Sequence, residues 1–129
     1  MTDPIADMIN RIKNAQAVLA PMVKISFSSL KYEIAAILKR EGWINDFEKK
    51  GRLPKKSIEI ILKYENGSPV ISGLKRISSP GQKIYLPAAK IKAVKGRAGT
   101  SVVSTSRGLM SGREAKNKRQ GGEVLFEIW

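Results

Sequence analysis

Residues 100–118 read TSVVSTSRGLMSGREAKNK, and this order predicts a strand, a turn and a helix in succession. The β-branched and apolar residues at 100–104 are typical of a strand. Ser111 and Glu114 match the Ser-x-x-Glu capping box, so a short helix is expected over about 112–118. A strand followed so closely by a helix indicates a domain in which both kinds of element share one core.

The rest of the C-terminal half is predicted to consist mainly of antiparallel strands. Asn66-Gly67 is a strong hairpin signal, because these residue types adopt positive φ readily. Apolar and polar residues alternate over 123–129, which is typical of a half-buried closing strand. Its expected core face is Val124, Phe126 and Ile128, opposite Leu125 and Glu127; further strands are expected at 70–71, 74–77 and 84–86, with a turn at 79–81 and one or two helical turns within 88–95.

The N-terminal half is predicted to fold as helix–strand–helix–strand–strand. Asp3 is a suitable cap and Pro4 a suitable first residue for the first helix. Ser28-Ser29 is expected to cap the second helix, which Gly42 ends. The predicted strands are 23–27, 43–48 and 58–62, and the helix positions expected to face the core are Ile5, Met8, Ile9 and Ile12, then Leu30, Ile34, Ile37 and Leu38.

These elements together predict an α+β protein of two domains. Residues 1–65 are expected to form an N-terminal α/β domain. It packs on a mainly antiparallel β domain with one short helix, formed by residues 66–129. A chain of 129 residues is long enough for one domain or for two small ones.

Composition excludes several classes of function. The chain has no Cys and no His, which removes thiolate nucleophiles, imidazole bases and most zinc sites. We therefore predict no enzyme activity, no cofactor and no metal; a Ser–Lys hydrolase with Ser106 as its nucleophile is the disfavoured alternative. No apolar run approaches the ~20 residues that span a bilayer. The N-terminus lacks the pattern of a secretory signal, so the expected location is the cytoplasm, without a membrane partner.

The charge balance indicates an anionic partner. Lys and Arg number 24 against 11 Asp and Glu, which gives a net charge of +13. Residues 65–129 hold 12 basic and 4 acidic residues, whereas residues 1–64 hold 12 and 7. A strongly basic chain most often binds nucleic acid, and a plain basic surface is the alternative. The more cationic C-terminal half is predicted to face the phosphates.

The most informative candidate site is Ser104-Thr105-Ser106-Arg107-Gly108. Small hydroxyl side chains donate and accept hydrogen bonds at close range, and a glycine permits tight backbone approach. Such groups suit the wide and shallow minor groove of RNA, where 2′-hydroxyls and base edges are exposed. A turn stabilised by its own hydroxyls is an equally good interpretation. The residues alone leave both interpretations open.

Three weaker patterns have structural alternatives. The basic loop at 49–56 could contact phosphates or be a solvated hairpin tip. The residues at 96–99, Gly-Arg-Ala-Gly, match the Gly-x-x-Gly loop of KH domains, but they precede a strand, so a turn is favoured. Asp3 and Asp7 lie in the first turns of a helix, where the dipole favours acids. Asp7 is therefore expected to pair with Arg11 rather than to act in catalysis.

Several motifs together resemble the bacterial-type small-subunit ribosomal protein eight family over the full length of the chain. Each motif is modest alone, but their order and spacing make the resemblance specific. It implies an N-terminal α/β domain associated with a β-rich C-terminal domain. The motifs are Thr2-Asp3-Pro4-Ile5-Ala6-Asp7-Met8, Lys39-Arg40-Glu41-Gly42-Trp43-Ile44, Ile77-Ser78 with Pro80-Gly81 and Tyr85, the run VSTSRGLM at 103–110, Arg113-Glu114-Ala115 and Gly121-Gly122-Glu123.

The resemblance implies a structural role in the small ribosomal subunit, with binding to the central domain of the 16S ribosomal RNA and assistance in assembling the subunit platform. Neighbouring small-subunit ribosomal proteins are further implied partners. The resemblance also implies repression of the chain's own operon through a messenger site that mimics the ribosomal RNA. The chain is expected to be a monomer outside a bacterial or plastid ribosome.

The RNA-contacting residues that the resemblance implies lie in both halves of the chain. In the C-terminal half, Glu123 would accept hydrogen bonds near the hydroxyl loop, and Tyr85 would line the same surface. The full set is Ser104, Thr105, Ser106, Arg107, Gly108, Gly122, Glu123, Tyr85 and Lys83 in that half, and Thr2, Asp3, Arg11, Asn14 and Lys31 in the N-terminal half.

Three positions depart from the family pattern. Residues 26–29 replace a common Pro-Ser-Ser-Lys, and Arg97-Ala98 separates two glycines that usually have one residue between them. Lys83 stands where Arg is common, which keeps the charge but loses the bidentate geometry. None of these departures falls within 104–106. The alternative function is a basic protein that binds nucleic acid without specificity and needs no structured hydroxyl loop.

Overall fold

The computed structural model describes residues 3–52, 55–95 and 98–129, and it has the predicted α+β architecture. The chain divides into a unit formed by Pro4–Ile71 and a unit formed by Ser72–Trp129 together with Asp3. The domain boundary at 65/66 stays a prediction. The elements are α1 (Pro4–Ala17), β1 (Met22–Ser26), α2 (Ser29–Arg40), β2 (Ile44–Lys50), β3 (Ser57–Leu62), β4 (Tyr64–Glu65), β5 (Ser68–Pro69), β6 (Leu74–Arg76), β7 (Tyr85–Leu86), a 3-10 turn (Ala88–Lys90), β8 (Thr100–Thr105), β9 (Gly108–Ser111), α3 (Gly112–Asn117) and β10 (Gly122–Ile128).

The first unit combines α1 and α2 with an antiparallel sheet in the order β1-β3-β2. Helix α1 begins at Pro4, as predicted, and its four predicted core residues are all buried. Strand β3 buries Ile58 and Ile60 on one face, while Ile61 is 37% exposed on the other. The predicted turn at Asn66-Gly67 joins β4 to β5, and both of its residues have positive φ.

Helix α2 begins where the sequence predicts, but its buried face differs at one position. Ser28 is the N-cap, and its side chain accepts a hydrogen bond from the Lys31 backbone N–H at 3.1 Å. The prediction that Leu30 faces the core is wrong, since Leu30 is exposed and Lys31 is buried. Positions 30 and 31 both fit the helical spacing of the buried apolar stripe that continues at Ile34. The buried ammonium of Lys31 is satisfied because it donates to Ser26 Oγ at 2.8 Å.

The second unit is an antiparallel sheet in the order β6-β10-β8-β9, with β7 paired to β10 beside β6. Helix α3 begins with the predicted capping box, in which Ser111 and Glu114 hold each other's backbone N–H groups. Below the sheet, one cluster of buried residues brings together β8, β9, β10 and α3. Its members are Ile91, Val103, Met110, Ala115 and Val124, with Ile77 and Leu86 packed against them.

Strand β10 departs from simple alternation at Leu125, which is buried although it was predicted to lie opposite the core face. The cause is a bulge, because Val124 pairs with Val103 and Phe126 pairs with Val102, which leaves Leu125 as the extra residue. The Leu125 carbonyl accepts hydrogen bonds from the backbone N–H groups of Ile77 and Ser78 at 3.1 and 3.3 Å. These hydrogen bonds therefore hold residues 77–78, which precede the predicted turn at 79–81, against the bulge.

Two further points in this half differ from the predictions. Residues 70–71 are not a strand, whereas the expected helical turn within 88–95 is present as the 3-10 turn at 88–90. Strand β9 was not predicted, because Gly108 and the short length of the run hide its strand character. The turn at 79–81 is confirmed by paired hydrogen bonds between Ser79 and Gln82. Among the described helices, none has the length and apolar character needed to cross a membrane.

Candidate nucleic-acid interface

The hydroxyl-rich residues form the tip of the β8–β9 hairpin. Thr105 pairs with Gly108 across the hairpin, and Ser106 and Arg107 form the turn between them. Thr105 Oγ1 donates to the Gly108 carbonyl at 2.8 Å and accepts from the Arg107 N–H at 3.1 Å. Gly108 has a φ of 106°, a conformation that costs glycine little. The Thr105 hydroxyl thus stabilises the turn itself, as the structural interpretation of this loop requires.

The remaining hydroxyls at the tip are available to a ligand. Ser106 is exposed, and among the residues that the structure describes its Oγ makes one long contact, 3.5 Å to Gln120 Oε1. Ser104 is half-buried at the end of β8. Within the described residues its hydroxyl makes no hydrogen bond. The tip therefore presents two small hydroxyls on a turn whose shape is fixed by a third.

A row of side chains crosses the sheet beside the tip. Glu123 on β10 lies directly opposite Ser104 on β8 and directly opposite Tyr85 on β7. Side chains at directly opposite positions point to the same face of a sheet. Tyr85 is 65% exposed, unusually so for an aromatic residue. The row therefore places a hydroxyl, a carboxylate and an aromatic ring side by side on one surface.

Gly122 brings β10 close to the end of β8. A Cβ atom at this position would overlap the Ser104 carbonyl and lie 3.2 Å from Thr105 Cα. Gly121 is similarly close to the neighbouring segment, with its Cβ position 2.7 Å from the Leu86 carbonyl oxygen. Only glycine permits this approach, so Gly122 acts through the backbone and not through a side chain.

Ser78 is a residue of this site that the sequence reasoning missed. It is completely buried, and its Oγ accepts from the Ile84 N–H at 2.8 Å and donates to Glu123 Oε2 at 2.6 Å. One oxygen of the carboxylate is thereby fixed from below the row. A single serine before a turn belongs to no periodic pattern of residues. The only indication in the sequence was its place in the Ile77-Ser78 motif of the family resemblance.

Two cations border the row and the tip. Lys83 is exposed two residues before Tyr85, and Arg107 is exposed in the hairpin turn. Neither has an ion-pair partner among the residues that the structure describes. An uncompensated Lys or Arg beside small hydroxyls supplies attraction for a polyanion. The C-terminal candidates of the sequence thus form one surface around β7, β8, β9 and β10.

The N-terminal candidates are dispersed. Arg11 and Asn14 are exposed on α1, and Arg11 forms the predicted ion pair with Asp7, with Nε 3.0 Å from Oδ2. Lys31 is buried and held by Ser26. Thr2 lies outside the described residues.

Asp3 belongs to the C-terminal unit through its contact with Arg76. The two Asp3 carboxylate oxygens accept from Arg76 Nε at 3.1 Å and from Arg76 Nη2 at 3.3 Å. Both side chains are about one-fifth exposed. Arg76 also donates to the Leu125 carbonyl, so this bidentate pair is connected to the bulge of β10.

The remaining candidate patterns are the acidic residues and the Gly-Arg-Ala-Gly motif. Among the described residues, no three acidic side chains come together as possible metal ligands. Of the Gly-Arg-Ala-Gly motif, Gly96 and Arg97 lie outside the described residues. Gly99 packs its backbone against the Ile128 carbonyl, at the start of β8.

Comparison with known proteins identifies relatives over the whole chain. A family model described as "Ribosomal protein S8" matches residues 3–129. A protein of Natranaerobius thermophilus named "Small ribosomal subunit protein uS8" is 52% identical over 130 residues, covering 100% of this chain and 98% of the relative. Proteins with the same name from Desulfovibrio desulfuricans and Mesoplasma florum are 47% and 48% identical, and each covers at least 99% of this chain and 98% of the relative.

Proposed function

This chain belongs to the ribosomal protein S8 family, and on that premise we propose that it binds the central domain of the 16S ribosomal RNA through the β8–β9 hairpin tip and the row beside it. It is a structural component of the small ribosomal subunit and not an enzyme. Its partners there are ribosomal RNA and other ribosomal proteins.

The observation that carries the proposal is the continuity of the row Tyr85–Glu123–Ser104 with the hairpin tip. Short hydroxyl side chains reach 2′-hydroxyls and base edges only where a groove is wide and shallow, as the RNA minor groove is. The Glu123 carboxylate accepts hydrogen bonds from sugar hydroxyls or base amino groups. The exposed ring of Tyr85 offers a flat face beside them. Selectivity then depends on contour and hydrogen bonding rather than on charge.

Charge supplies the attraction. The chain carries a net charge of +13. If it contacts ~6–10 phosphates, raising the salt concentration from 50 to 200 mM would lower its affinity for RNA by roughly 10³–10⁵. Such contacts position the protein but do not read sequence. The proposal therefore separates two contributions, a salt-sensitive one from the lysines and arginines and a selective one from the tip.

Three finer roles belong to the same proposal. By holding the central domain in one shape, the protein assists assembly of the subunit platform. A messenger segment with the same contour would bind the same surface, which provides repression of the chain's own operon. Outside the ribosome the protein acts as a monomer.

The test compares a fragment of the 16S ribosomal RNA central domain with a scrambled RNA of equal length. Thr105→Val with Ser106→Leu is expected to reduce the ratio of the two affinities by about tenfold to a hundredfold, because hydrogen bonds at the tip are lost. Weak, salt-sensitive binding to both RNAs should persist. Thr105→Ser is the matched control, since it keeps the hydroxyl that shapes the turn. Unchanged discrimination by the double variant would show that the tip does not select the RNA.

The alternative is a basic protein that binds any nucleic acid. It would bind duplex DNA as tightly as the central-domain fragment at equal salt. Each substitution that removes a Lys or Arg charge would also weaken its binding to every nucleic acid by a similar factor. A gel-shift competition with DNA therefore distinguishes the two functions most directly.

A further inference from the structure

Three aromatic rings and two lysines of the N-terminal unit form a surface that the proposed function does not use. Phe27, Tyr32 and Phe47 pack in sequence, with ring centroids 5.9 Å apart for Phe27 and Tyr32 and 5.0 Å apart for Tyr32 and Phe47. The Nζ atoms of Lys49 and Lys56 lie 5.4 and 5.2 Å from the Phe27 centroid. We call these five residues the aromatic–lysine surface.

The backbone fixes this arrangement. Lys49 on β2 pairs with Ile58 on β3, and Lys56 directly precedes β3. The Phe27 N–H donates to the Lys56 carbonyl at 3.1 Å, which ties the end of β1 to the β2–β3 hairpin. The Phe27 ring therefore lies close to both lysines as a consequence of strand pairing. Cation–π attraction holds each ammonium near the ring.

The two cations of this surface lack the partners that neighbouring lysines have. Lys50 pairs with Glu48 at 3.3 Å, and Lys39 pairs with Asp46 at 2.9 Å. Across the described part of the chain, Lys49 and Lys56 contact no carboxylate. Both ammonium groups lie near one ring centroid, so the two Nζ atoms are at most about 11 Å apart, and one anion beside the ring would be attracted by both.

Tyr32 adds a flat and accessible ring next to the cations. It is 36% exposed, and its edge-to-face contact with Phe47, at an interplanar angle of 72°, fixes its orientation. The Lys49 ammonium is 6.0 Å from its centroid. Proteins that bind single-stranded nucleic acid combine a cationic path for phosphates with an aromatic ring for a base. An acidic peptide would use the cations alone and would leave the ring without a role.

We infer that the aromatic–lysine surface binds one unpaired nucleotide of RNA, with its phosphate between Lys49 and Lys56 and its base against Tyr32. This inference rests on the proposed function, because that function makes RNA the ligand. It adds a second binding surface in the other unit, which selects single-stranded character rather than groove shape. Phe27 is the positioning residue that keeps the two lysines together.

The test measures binding of a short labelled oligouridylate to the full-length protein by fluorescence anisotropy. Lys49→Gln with Lys56→Gln is expected to weaken binding about tenfold and to reduce the salt slope by about 0.7, because the one single-strand phosphate held by both lysines is no longer neutralised. The matched control is Lys39→Gln with Lys50→Gln, which removes the same charge from lysines that are already paired. The control is expected to change affinity by less than about threefold. Equal losses of affinity in both variants would overturn the inference.

Further experiments identify the ligand of the aromatic–lysine surface. Tyr32→Leu is expected to weaken binding at least fivefold, about the effect of losing one base–aromatic stack, while circular dichroism shows that the variant remains folded at the assay temperature. In the unsubstituted protein, ultraviolet cross-linking should join oligouridylate to Tyr32, as mapped by mass spectrometry. Absence of that cross-link would overturn the inference. Equally strong competition by oligoglutamate would also overturn it, in favour of an acidic protein segment.

The two proposals fail independently in this design. The Thr105→Val, Ser106→Leu variant should bind oligouridylate as the unsubstituted protein does, because the hairpin tip recognises folded RNA. Loss of oligouridylate binding in that variant, with retention in the lysine variant, would place single-strand binding at the tip and overturn the inference. Failure of the proposed function would instead appear only with the central-domain fragment.

Discussion

The β2–β3 and β8–β9 hairpins differ in what they present to solvent. The β2–β3 hairpin carries long cationic side chains, whose attraction extends over many ångströms and tolerates small displacements. The β8–β9 hairpin presents short hydroxyls, which act only at hydrogen-bond distance. The second hairpin consequently needs a rigid support, and Gly122, Ser78 and the capping box of α3 provide it. We expect substitutions in that support to cost far more stability than substitutions among the surface charges.

The largest effect is expected from Gly122→Val. The new side chain would collide with the Ser104 carbonyl, so β8 and β10 must separate beside the site. Overpacking of this kind costs about 1–3 kcal/mol, and the backbone contact places this variant at the upper end. Urea unfolding measures the loss of stability. Gly81→Ala is the control, because nothing lies within 4 Å of its Cβ position, and a comparable loss there would contradict the close-approach argument.

Ser78→Ala is expected to cost about 2 kcal/mol, because it leaves the Ile84 N–H and a Glu123 carboxylate oxygen without their partner. The same variant should reduce discrimination between the central-domain fragment and scrambled RNA. In a double-mutant cycle with Glu123→Gln, the two losses of discrimination should not add. Additive losses, or an equal effect of Ser72→Ala at an exposed serine, would show that Ser78 does not position Glu123.

A smaller effect, about 1 kcal/mol, is expected from Ser111→Ala, which removes half of the capping box of α3. Ser28→Ala is the corresponding change in the N-terminal unit, where one hydrogen bond to the Lys31 N–H is lost. Thermal unfolding of the two variants compares the caps directly. Only Ser111 adjoins the β8–β9 hairpin. Ser111→Ala should therefore reduce discrimination between the central-domain fragment and scrambled RNA more than Ser28→Ala does.

The smallest loss of stability is expected from substitution of Asp46, which lies on β2 in the charged β2–β3 hairpin. Its hydrogen bond from the Lys39 ammonium, followed by that from the Phe47 N–H, lowers the pKa of Asp46 below its ordinary value of 3.8. A lowered pKa in the folded state stabilises the protein above pH 3.8, and the contribution is lost as the pH falls through the lower folded value. Asp46→Asn should therefore reduce the urea midpoint slightly at neutral pH and not at all in strong acid. A larger effect in acid would contradict this sign.

Local signals predicted most of the secondary structure. Pro4 marks the start of α1, Asn66-Gly67 forms a hairpin turn with positive φ, and Ser111 with Glu114 caps α3. Each of these signals depends on groups within about four residues along the chain. Their free energies are set by local hydrogen bonds and allowed φ values, so no knowledge of distant contacts is needed.

Errors arose where two patterns fitted equally well or where a distant strand intervened. Leu30 and Lys31 both extend the stripe of α2, and Ser26 made burial of the lysine possible. Leu125 is buried because a bulge against β8 shifts the register of β10. The burial of Lys31 depends on where β1 places Ser26, and the burial of Leu125 depends on strand register, so local sequence patterns predict neither.

The hydroxyl tip itself could be singled out from residue types, and the resemblance supplied the residues around it. Its support could not be found in this way, because Ser78 and Glu123 are 45 residues apart and their hydrogen bond depends on how β6, β7 and β10 meet. The aromatic–lysine surface is a similar case. Lys49 and Lys50 are adjacent in sequence, yet one faces Phe27 and the other pairs with Glu48, since successive residues of a strand point to opposite faces.

The amino-acid sequence by itself determined the element types, the cationic character, the absence of thiol and imidazole chemistry, and the membership of a ribosomal protein family. These depend on composition, short-range order and motif spacing. The tertiary structure alone decided which oxygen atoms face a ligand, which lysines remain without a partner and which glycine must stay free of a side chain. Those properties depend on pairs of atoms brought within a few ångströms by strand register, and register is fixed only when the whole sheet packs.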